Sequence, residues 1–221
     1  MGELKPNGKR AKQAILWIWI VLALEVASAI SSYMEYNLYQ TMAHGVEVPE
    51  DVMDANDMRQ GVIDFLNGIA SIISVVMFLR WFGRAYHNLH QILDHRLAHR
   101  EGWAVGSWFV PIINVYRPYQ IMKELYLKTK EWLANKGMEQ NLTTHSVGWW
   151  WTLWILSGVV AYLCFKLAMM IEPEAIDDAI TRNIMYMVSC VVTIPLALIT
   201  VKVIKDYSKA EALLAGEPSE V

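Results

Sequence analysis

The sequence predicts an all-α membrane protein with four transmembrane helices and a cytoplasmic or interfacial helical segment between the second and third helices. Residues of the AVILMFWYC set make up 55% of the chain and charged residues only 19%, below the roughly 25% usual in soluble domains. Four segments stay mainly apolar for about 20 residues, the length that a helix needs to cross a hydrocarbon core about 30 Å thick. Lys and Arg are concentrated in only some of the connecting segments, as in multi-pass membrane proteins.

The first two transmembrane helices are predicted over residues 14–33 and 61–82. The first contains one charged residue, Glu25, near its middle, and the second has Asp64 close to its outer end. A charged side chain at the bilayer centre costs about 3 kcal/mol on insertion scales. Glu25 is therefore either part of an ion or proton path or a neutral acid hydrogen-bonded to a Ser or Thr of a neighbouring helix, where Thr193 lies at a similar depth.

The central segment, residues 83–147, contains three parts. Apolar positions recur at three- and four-residue spacing over residues 84–97, so the second helix is predicted to continue into the cytoplasm. The uncharged run 102–116 is interrupted by glycine and proline and is too short to span a bilayer at about 1.5 Å per residue, so we expect a re-entrant or interfacial segment. Pro118 suits the first turn of a helix, and a basic amphipathic helix is predicted from there to residue 135.

The last two transmembrane helices are predicted over residues 148–170 and 183–203. Pro195 lies inside the fourth helix, where it predicts a kink rather than a break, because neighbouring groups can satisfy the freed carbonyl. The remaining residues, 205–221, are predicted to form a flexible cytoplasmic tail.

The distribution of Lys and Arg predicts the side of the membrane that each segment occupies. Residues 1–13 contain four basic residues and residues 83–147 contain eight, so both are expected in the cytoplasm. The loop 34–60 has one arginine against six acidic residues and is expected outside. The protein is thus predicted to be a multi-pass protein of the inner (plasma) membrane with both termini cytoplasmic. Its predicted parts are a basic tail (1–13), a helix pair with an acidic external loop (14–82), the cytoplasmic segment (83–147), a second helix pair (148–204) and the flexible tail (205–221).

Under this topology all ten tryptophans fall on the cytoplasmic half of the protein. Indole rings favour the headgroup layer, where a polar N–H lies beside an apolar ring, but ordinary anchoring does not explain why one side holds all of them. The asymmetry predicts additional protein mass at the inner interface, supplied by residues 83–147.

Two stretches of the chain resemble a known family. The first contains Trp81, Arg84, Ala85, Tyr86, Asn88 and Leu89, and the second is GWAVGSWFVPIINVYRPYQIMKELY at residues 102–126. Over roughly residues 61–204 the chain resembles the bacterial membrane proteins grouped as the domain of unknown function DUF4328. Ser107 stands where the family pattern has an aromatic residue, and Glu101 where it has proline. The resemblance implies a bacterial polytopic membrane protein and implies no particular activity.

The functional surface is predicted around residues 102–118. Trp103 and Trp108 supply large rings, and Asn114 and Arg117 are the nearest polar groups, adjacent to each other if the turn is helical. Arg117 presents a planar fork of donors suited to a lipid phosphate, a partner carboxylate or Glu124 of the same chain. Equally, Asn114 and Arg117 would cap a backbone broken by glycine and proline. The candidate functional residues are Glu25, Asp64, Arg84, Asn88, Trp103, Trp108, Pro111, Asn114, Arg117 and Glu124.

These features favour an interaction, assembly or lipid-binding protein with an aromatic-rich cytoplasmic interface. The expected partners are the lipid bilayer, anionic lipid headgroups, another membrane protein or further copies of the chain. The alternative is a small oligomeric ion or proton transporter or channel that uses Glu25 and Asp64. No G-x-S-x-G, P-loop or H-E-x-x-H motif occurs, so the sequence does not predict an enzyme.

Metal, cofactor and nucleic-acid binding are not expected. His95 and His99 would share a helical face, but no nearby cysteine completes a ligand set. Cys164 and Cys190 each lie in an apolar run and are interpreted as core residues. The formal net charge of −3 provides no basic field for a nucleic-acid backbone.

Overall fold

The computed structural model describes residues 4–93, 97–138, 140–170 and 175–215, and in these ranges it contains helices and no strand. Four of the helices are long, and each contains an 18-residue window apolar enough to cross a membrane. The helices are α1 (Gly8–Ala43), α2 (Glu50–Leu93), α3 (Trp103–Gly106), α4 (Arg117–Asn135), α5 (His145–Met170) and α6 (Ile176–Ala215), with a 3₁₀ turn at Ile113–Val115.

The long helices extend beyond the apolar stretches from which they were predicted. Glu50 and Asp51 occupy the first turn of α2, and Asp177 and Asp178 that of α6, where negative charge is stabilised by the helix dipole. α6 continues through Pro195 as one helix.

The two predicted tails differ from the structure. α1 begins at Gly8, inside the predicted basic tail, and α6 continues to Ala215, well inside the predicted flexible tail. The physical reason at the C-terminal end is burial: Tyr207, Ala210 and Leu214 recur at helical spacing and are at most 8% exposed. Residues 216–221 lie outside the described part of the chain.

The chain forms two compact units, to each of which all four long helices contribute. The first unit consists of Met1–Ile18, Ile73–Thr152 and Leu198–Val221, and the second of Trp19–Ile72 and Leu153–Ala197. This division cuts across the linear segments predicted from the sequence.

The core of the first unit is aromatic and aliphatic. The C-terminal half of α2 contributes Trp81, Phe82 and Tyr86, which are completely buried. α4, the helix predicted after Pro118, is present from Arg117 to Asn135 and buries Ile121, Leu125 and Leu133 among others. These residues hold α2 and α4 in the positions from which the polar groups described below project.

The second unit exposes many large apolar side chains. Phe65 is 68% exposed, Ile72 67%, Phe165 66% and Met169 72%. Exposure of so many large apolar side chains is typical of surfaces that contact lipid or protein.

Candidate functional site

Asn88, a residue of the first family-like stretch, lies at the centre of a buried polar network in the first unit. Its Nδ2 donates to Glu211 Oε1 over 2.8 Å and to the Lys5 carbonyl over 2.9 Å. Its Oδ1 accepts from the Lys5 backbone N–H over 3.1 Å. Asn88 therefore ties the N-terminal segment and the end of α6 to α2.

Glu211 is the acid of this network and was not predicted from the sequence. Its second oxygen, Oε2, accepts from Asn7 Nδ2 over 2.8 Å, and Asn7 also donates to the Trp81 carbonyl over 3.3 Å. Glu211 lies eight residues beyond the apolar stretch 183–203. Burial raises the pKa of its carboxyl to about 7, although the two amides and Arg84 act in the opposite direction. The sequence did contain one signal that Glu211 is buried: it lies four residues after Tyr207 and three before Leu214, so all three share one face of α6.

A second polar group joins α2 to α4 through Glu124. The Tyr86 hydroxyl lies 2.7 Å from Glu124 Oε2 and 3.0 Å from the His99 carbonyl, and the Ala98 N–H donates to Glu124 Oε1 over 2.7 Å. Burial, together with the contact to Glu124, raises the pKa of Tyr86, so the phenol stays protonated. Glu124 thus uses both oxygens on Tyr86 and Ala98, and not on Arg117.

Arg117 binds a histidine and two aromatic rings. Its Nη1 donates to His99 Nδ1 over 2.7 Å, so that nitrogen carries no proton. Burial, and after it the charge of Arg117, lowers the pKa of His99, which keeps the imidazole neutral as this bond requires. The guanidinium carbon lies 5.9 Å from the Trp103 ring centroid and 5.4 Å from that of Tyr116, within cation–π range.

The loop before Arg117 is built from two short turns, with exposed apolar side chains between them. Phe109 is 71% exposed and Ile112 79%. Ile112 has φ 69°, a strained conformation for a β-branched residue. The Asn114 N–H donates to the Val110 carbonyl over 3.0 Å and the Ile113 N–H to the Pro111 carbonyl over 2.8 Å. In the described ranges the Asn114 side chain makes no hydrogen bond with Arg117.

Trp108 belongs to a cluster of rings inside the first unit. Its ring centroid lies 5.7 Å from Phe78, 6.3 Å from Trp150 and 6.1 Å from Trp151. Trp151 in turn stacks on Tyr119 at 6.2 Å, and its Nε1 donates to the Val115 carbonyl over 3.1 Å. The cluster therefore attaches the loop to α2, α4 and α5.

A cavity of about 360 Å³ opens beside α2 in the first unit. We call it the basic cavity, because five basic residues and a single acid are among the residues that line it. The basic residues are Lys5, Arg10, Arg80, Arg84 and His87, and the acid is Glu101.

In the second unit Glu25 is hydrogen-bonded to the side-chain amide of Asn67. Its Oε1 accepts from Asn67 Nδ2 over 2.9 Å. Thr193, which was predicted at a similar depth, instead donates to the Cys190 carbonyl over 2.7 Å. Asp64 accepts from the Tyr186 hydroxyl over 2.8 Å. Both predicted acids therefore contact neutral donors.

Glu35 is a third acid of the second unit, and it was missed because it lies just past the predicted span. Its Oε2 accepts from Gln60 Nε2 over 2.8 Å and from Asn183 Nδ2 over 2.6 Å. Its Oε1 accepts from Asn56 Nδ2 over 3.1 Å. Glu35 and Asp64 both line a cavity of about 250 Å³.

A family described as "Domain of unknown function (DUF4328)" matches residues 44–209, well over half of the chain. The chain belongs to the DUF4328 family. The resemblance inferred from the two stretches at residues 81–89 and 102–126 is thereby confirmed. Neither the curated proteins nor the solved structures include a match to this chain.

Within this DUF4328 chain, the matched range includes most of the polar groups of the first unit. Arg84, Asn88, Arg117 and Glu124 all lie inside it, as does Asp64, whereas Glu25 precedes it. Asn88 thus connects the family region to Glu211, which follows the matched range.

The histidines of this DUF4328 chain show no metal-site geometry in the part that the structure describes. In those ranges no group of three or more His, Cys, Asp or Glu side chains is placed to hold a metal ion. His87 Nδ1 lies 2.8 Å from Glu101 Oε1, and His99 contacts Arg117. His95 lies outside the described residues.

Proposed function

We propose that this DUF4328 protein is a multi-pass protein of the bacterial plasma membrane whose first unit faces the cytoplasm and binds anionic phospholipid headgroups. The four apolar helices and the concentration of Lys and Arg in the central segment support this arrangement. The second unit, with its exposed apolar side chains, would then lie in the lipid core.

The observation that carries the proposal is the exposed apolar loop immediately before Arg117. Residues 102–116 contain no charged residue, and Phe109, Ile112 and Val115 point large fractions of their surface outward. Such a loop, bordered by tryptophan and arginine, suits the boundary between headgroups and acyl chains. The strained backbone of Ile112 supports the same interpretation, because strain of about 1–3 kcal/mol persists mainly where a side chain has a function.

Spin labels test whether the loop enters the membrane. In a background with Cys164 and Cys190 replaced by alanine, a label is attached at Phe109→Cys or, as a control on the exposed surface of α4, at Lys130→Cys. In reconstituted vesicles the Phe109 label should collide with oxygen and be shielded from a water-soluble nickel chelate, and the Lys130 label should show the reverse. Equal access of the chelate to both labels would disprove insertion.

Native mass spectrometry tests the headgroup preference. Arg117→Ala should reduce the phosphatidylglycerol retained by the purified protein roughly tenfold, because a charge-assisted hydrogen bond contributes about 1.5–3 kcal/mol. Lys130→Ala should retain the wild-type amount. Loss of thermal stability at unchanged lipid retention would assign Arg117 to the structure alone.

A second candidate function, a proton or cation path, is favoured by the acids of the second unit. Glu25 and Asp64 contact an amide and a hydroxyl rather than a cation, so a transported cation would have no fixed positive charge to displace there. In vesicles loaded with a pH-sensitive dye, this function requires a flux that Glu25→Gln abolishes and Glu131→Gln does not. Equal traces for protein-containing and empty vesicles would remove it.

A further inference from the structure

We propose that the basic cavity binds a phosphate group that carries two negative charges, as in a phosphomonoester. The group could belong to a lipid headgroup such as that of phosphatidic acid or to a small soluble phosphate ester. The lipid form of this proposal rests on the membrane function proposed above, whereas the soluble form does not.

The charge inside the cavity is not balanced by the protein. Glu101, its acid, lies 2.8 Å from His87 Nδ1. The guanidinium groups of Arg80 and Arg84 make no hydrogen bond or ion pair with any described residue. Arg84 does interact electrostatically with Glu211 at longer range, but the Glu211 carboxyl is buried and accepts its hydrogen bonds from the amides of Asn7 and Asn88. An anion in the cavity would therefore meet several cationic groups with free donors.

The three arginines also repel one another. Arg10 Nη1 donates to the Arg80 carbonyl over 3.1 Å, which places its positive charge beside those of Arg80 and Arg84. Burial, followed by the charges of Arg84 and Arg80, lowers the pKa of Arg10. Like charges held together in this way destabilise an empty site and are stabilised by a bound dianion.

His87 provides a further unused polar atom. Its Nε2 is buried and has no hydrogen-bond partner in the described ranges. Because Glu101 contacts Nδ1, protonation of Nε2 would give a donor for a phosphate oxygen. A buried polar atom without a hydrogen-bond partner destabilises the folded protein. A hydrogen bond from the protonated Nε2 to a bound anion would remove this cost.

The size of the cavity suits a phosphate attached to a larger group. Its volume of about 360 Å³ lies at the lower end of the range of about 300–1,000 Å³ usual for small-molecule sites. Leu79 and Val105 add apolar surface to the lining, where a glycerol or acyl portion would lie.

The test uses the full-length protein in nanodiscs of phosphatidylcholine. Two probes are compared: phosphatidic acid added to the disc, detected by native mass spectrometry, and glycerol 3-phosphate in solution, detected by calorimetry. Arg80→Gln replaces an exposed side chain that has no hydrogen-bond partner among the described residues, and it should weaken binding of the effective probe by about tenfold. Lys130→Gln, which removes the same charge away from the cavity, should change it less than about twofold.

Each outcome decides the proposal. Binding of phosphatidic acid alone that depends on Arg80 assigns the lipid source, and binding of glycerol 3-phosphate that depends on Arg80 assigns the soluble source. Equal affinity for phosphatidic acid and phosphatidylcholine, without binding of glycerol 3-phosphate, overturns the site. Equal losses of probe affinity in Arg80→Gln and Lys130→Gln overturn it as well. The spin label at Phe109 reports separately on the loop, so failure of the cavity is distinguishable from failure of the membrane function.

Discussion

At the scale of single residues, the polar groups of the first unit depend on partners that are distant in the sequence. Asn88 was recognisable within the family-like stretch, but its partners Lys5 and Glu211 lie 83 and 123 residues away. No periodicity or spacing connects positions so far apart. The partner of Arg117, a residue of the second stretch, was not predicted, because His99 reaches it only through the tertiary fold.

The buried carboxyl of Glu211 predicts a pH dependence of stability. The pKa rises from 4.5 in the unfolded chain to about 7 in the folded protein, so the folded state binds the proton more tightly. Stability therefore decreases as pH rises from about 4.5 to 7, by on the order of 3 kcal/mol if burial is complete. Thermal unfolding in detergent at pH 5 and pH 8 should show this decrease.

The control for this prediction is Glu211→Gln, which has no charge at either pH. Asn7 Oδ1 has no partner in the described ranges, so the Asn7 amide can reorient to accept from the introduced amide. The variant should lose most of the difference between the two pH values. An unchanged difference would show that another group titrates.

At the scale of helices, the sequence predicted the existence of the long elements better than their ends. Hydrophobic windows identified the apolar part of each long helix, and Pro118 correctly indicated the start of α4 to within one residue. The extensions to Gly8 and Ala215 were missed because those residues are polar on average, and tertiary burial rather than composition keeps them helical.

Gly83 of α2 lies close to the Val105 side chain of α3. A Cβ at this position would lie 2.9 Å from Val105 Cγ2, so Gly83→Ala should lower the unfolding free energy by about 1–3 kcal/mol through overpacking. Thermal unfolding should show that the double variant Gly83→Ala with Val105→Ala is more stable than the single one. Gly61→Ala in the same helix, where nothing lies within 4 Å, is the matched control and should be neutral or stabilising.

At the scale of the whole molecule, charge and hydropathy predict topology, and contacts define the two units. The basic residues Lys5, Arg10, Arg80 and Arg84 come from segments predicted to be cytoplasmic or at the inner end of a span, and the structure brings them to one cavity. That agreement connects the proposed orientation to the proposed ligand. If the first unit faced outward, its cationic groups would lack the negative surface potential of the inner leaflet.

Cysteine labelling on intact cells tests the orientation. In a background with Cys164 and Cys190 replaced by alanine, cysteines are introduced at Glu50 and Asp177 on one side and at Lys130 on the other. All three are exposed in the structure, so differences in labelling report the membrane barrier rather than burial. An impermeant thiol reagent should label Glu50→Cys and Asp177→Cys and should reach Lys130→Cys only after the membrane is permeabilised. Labelling of Lys130→Cys alone on intact cells would invert the topology, and because it would place the basic cavity outside, it would leave only an extracellular phosphate as its ligand.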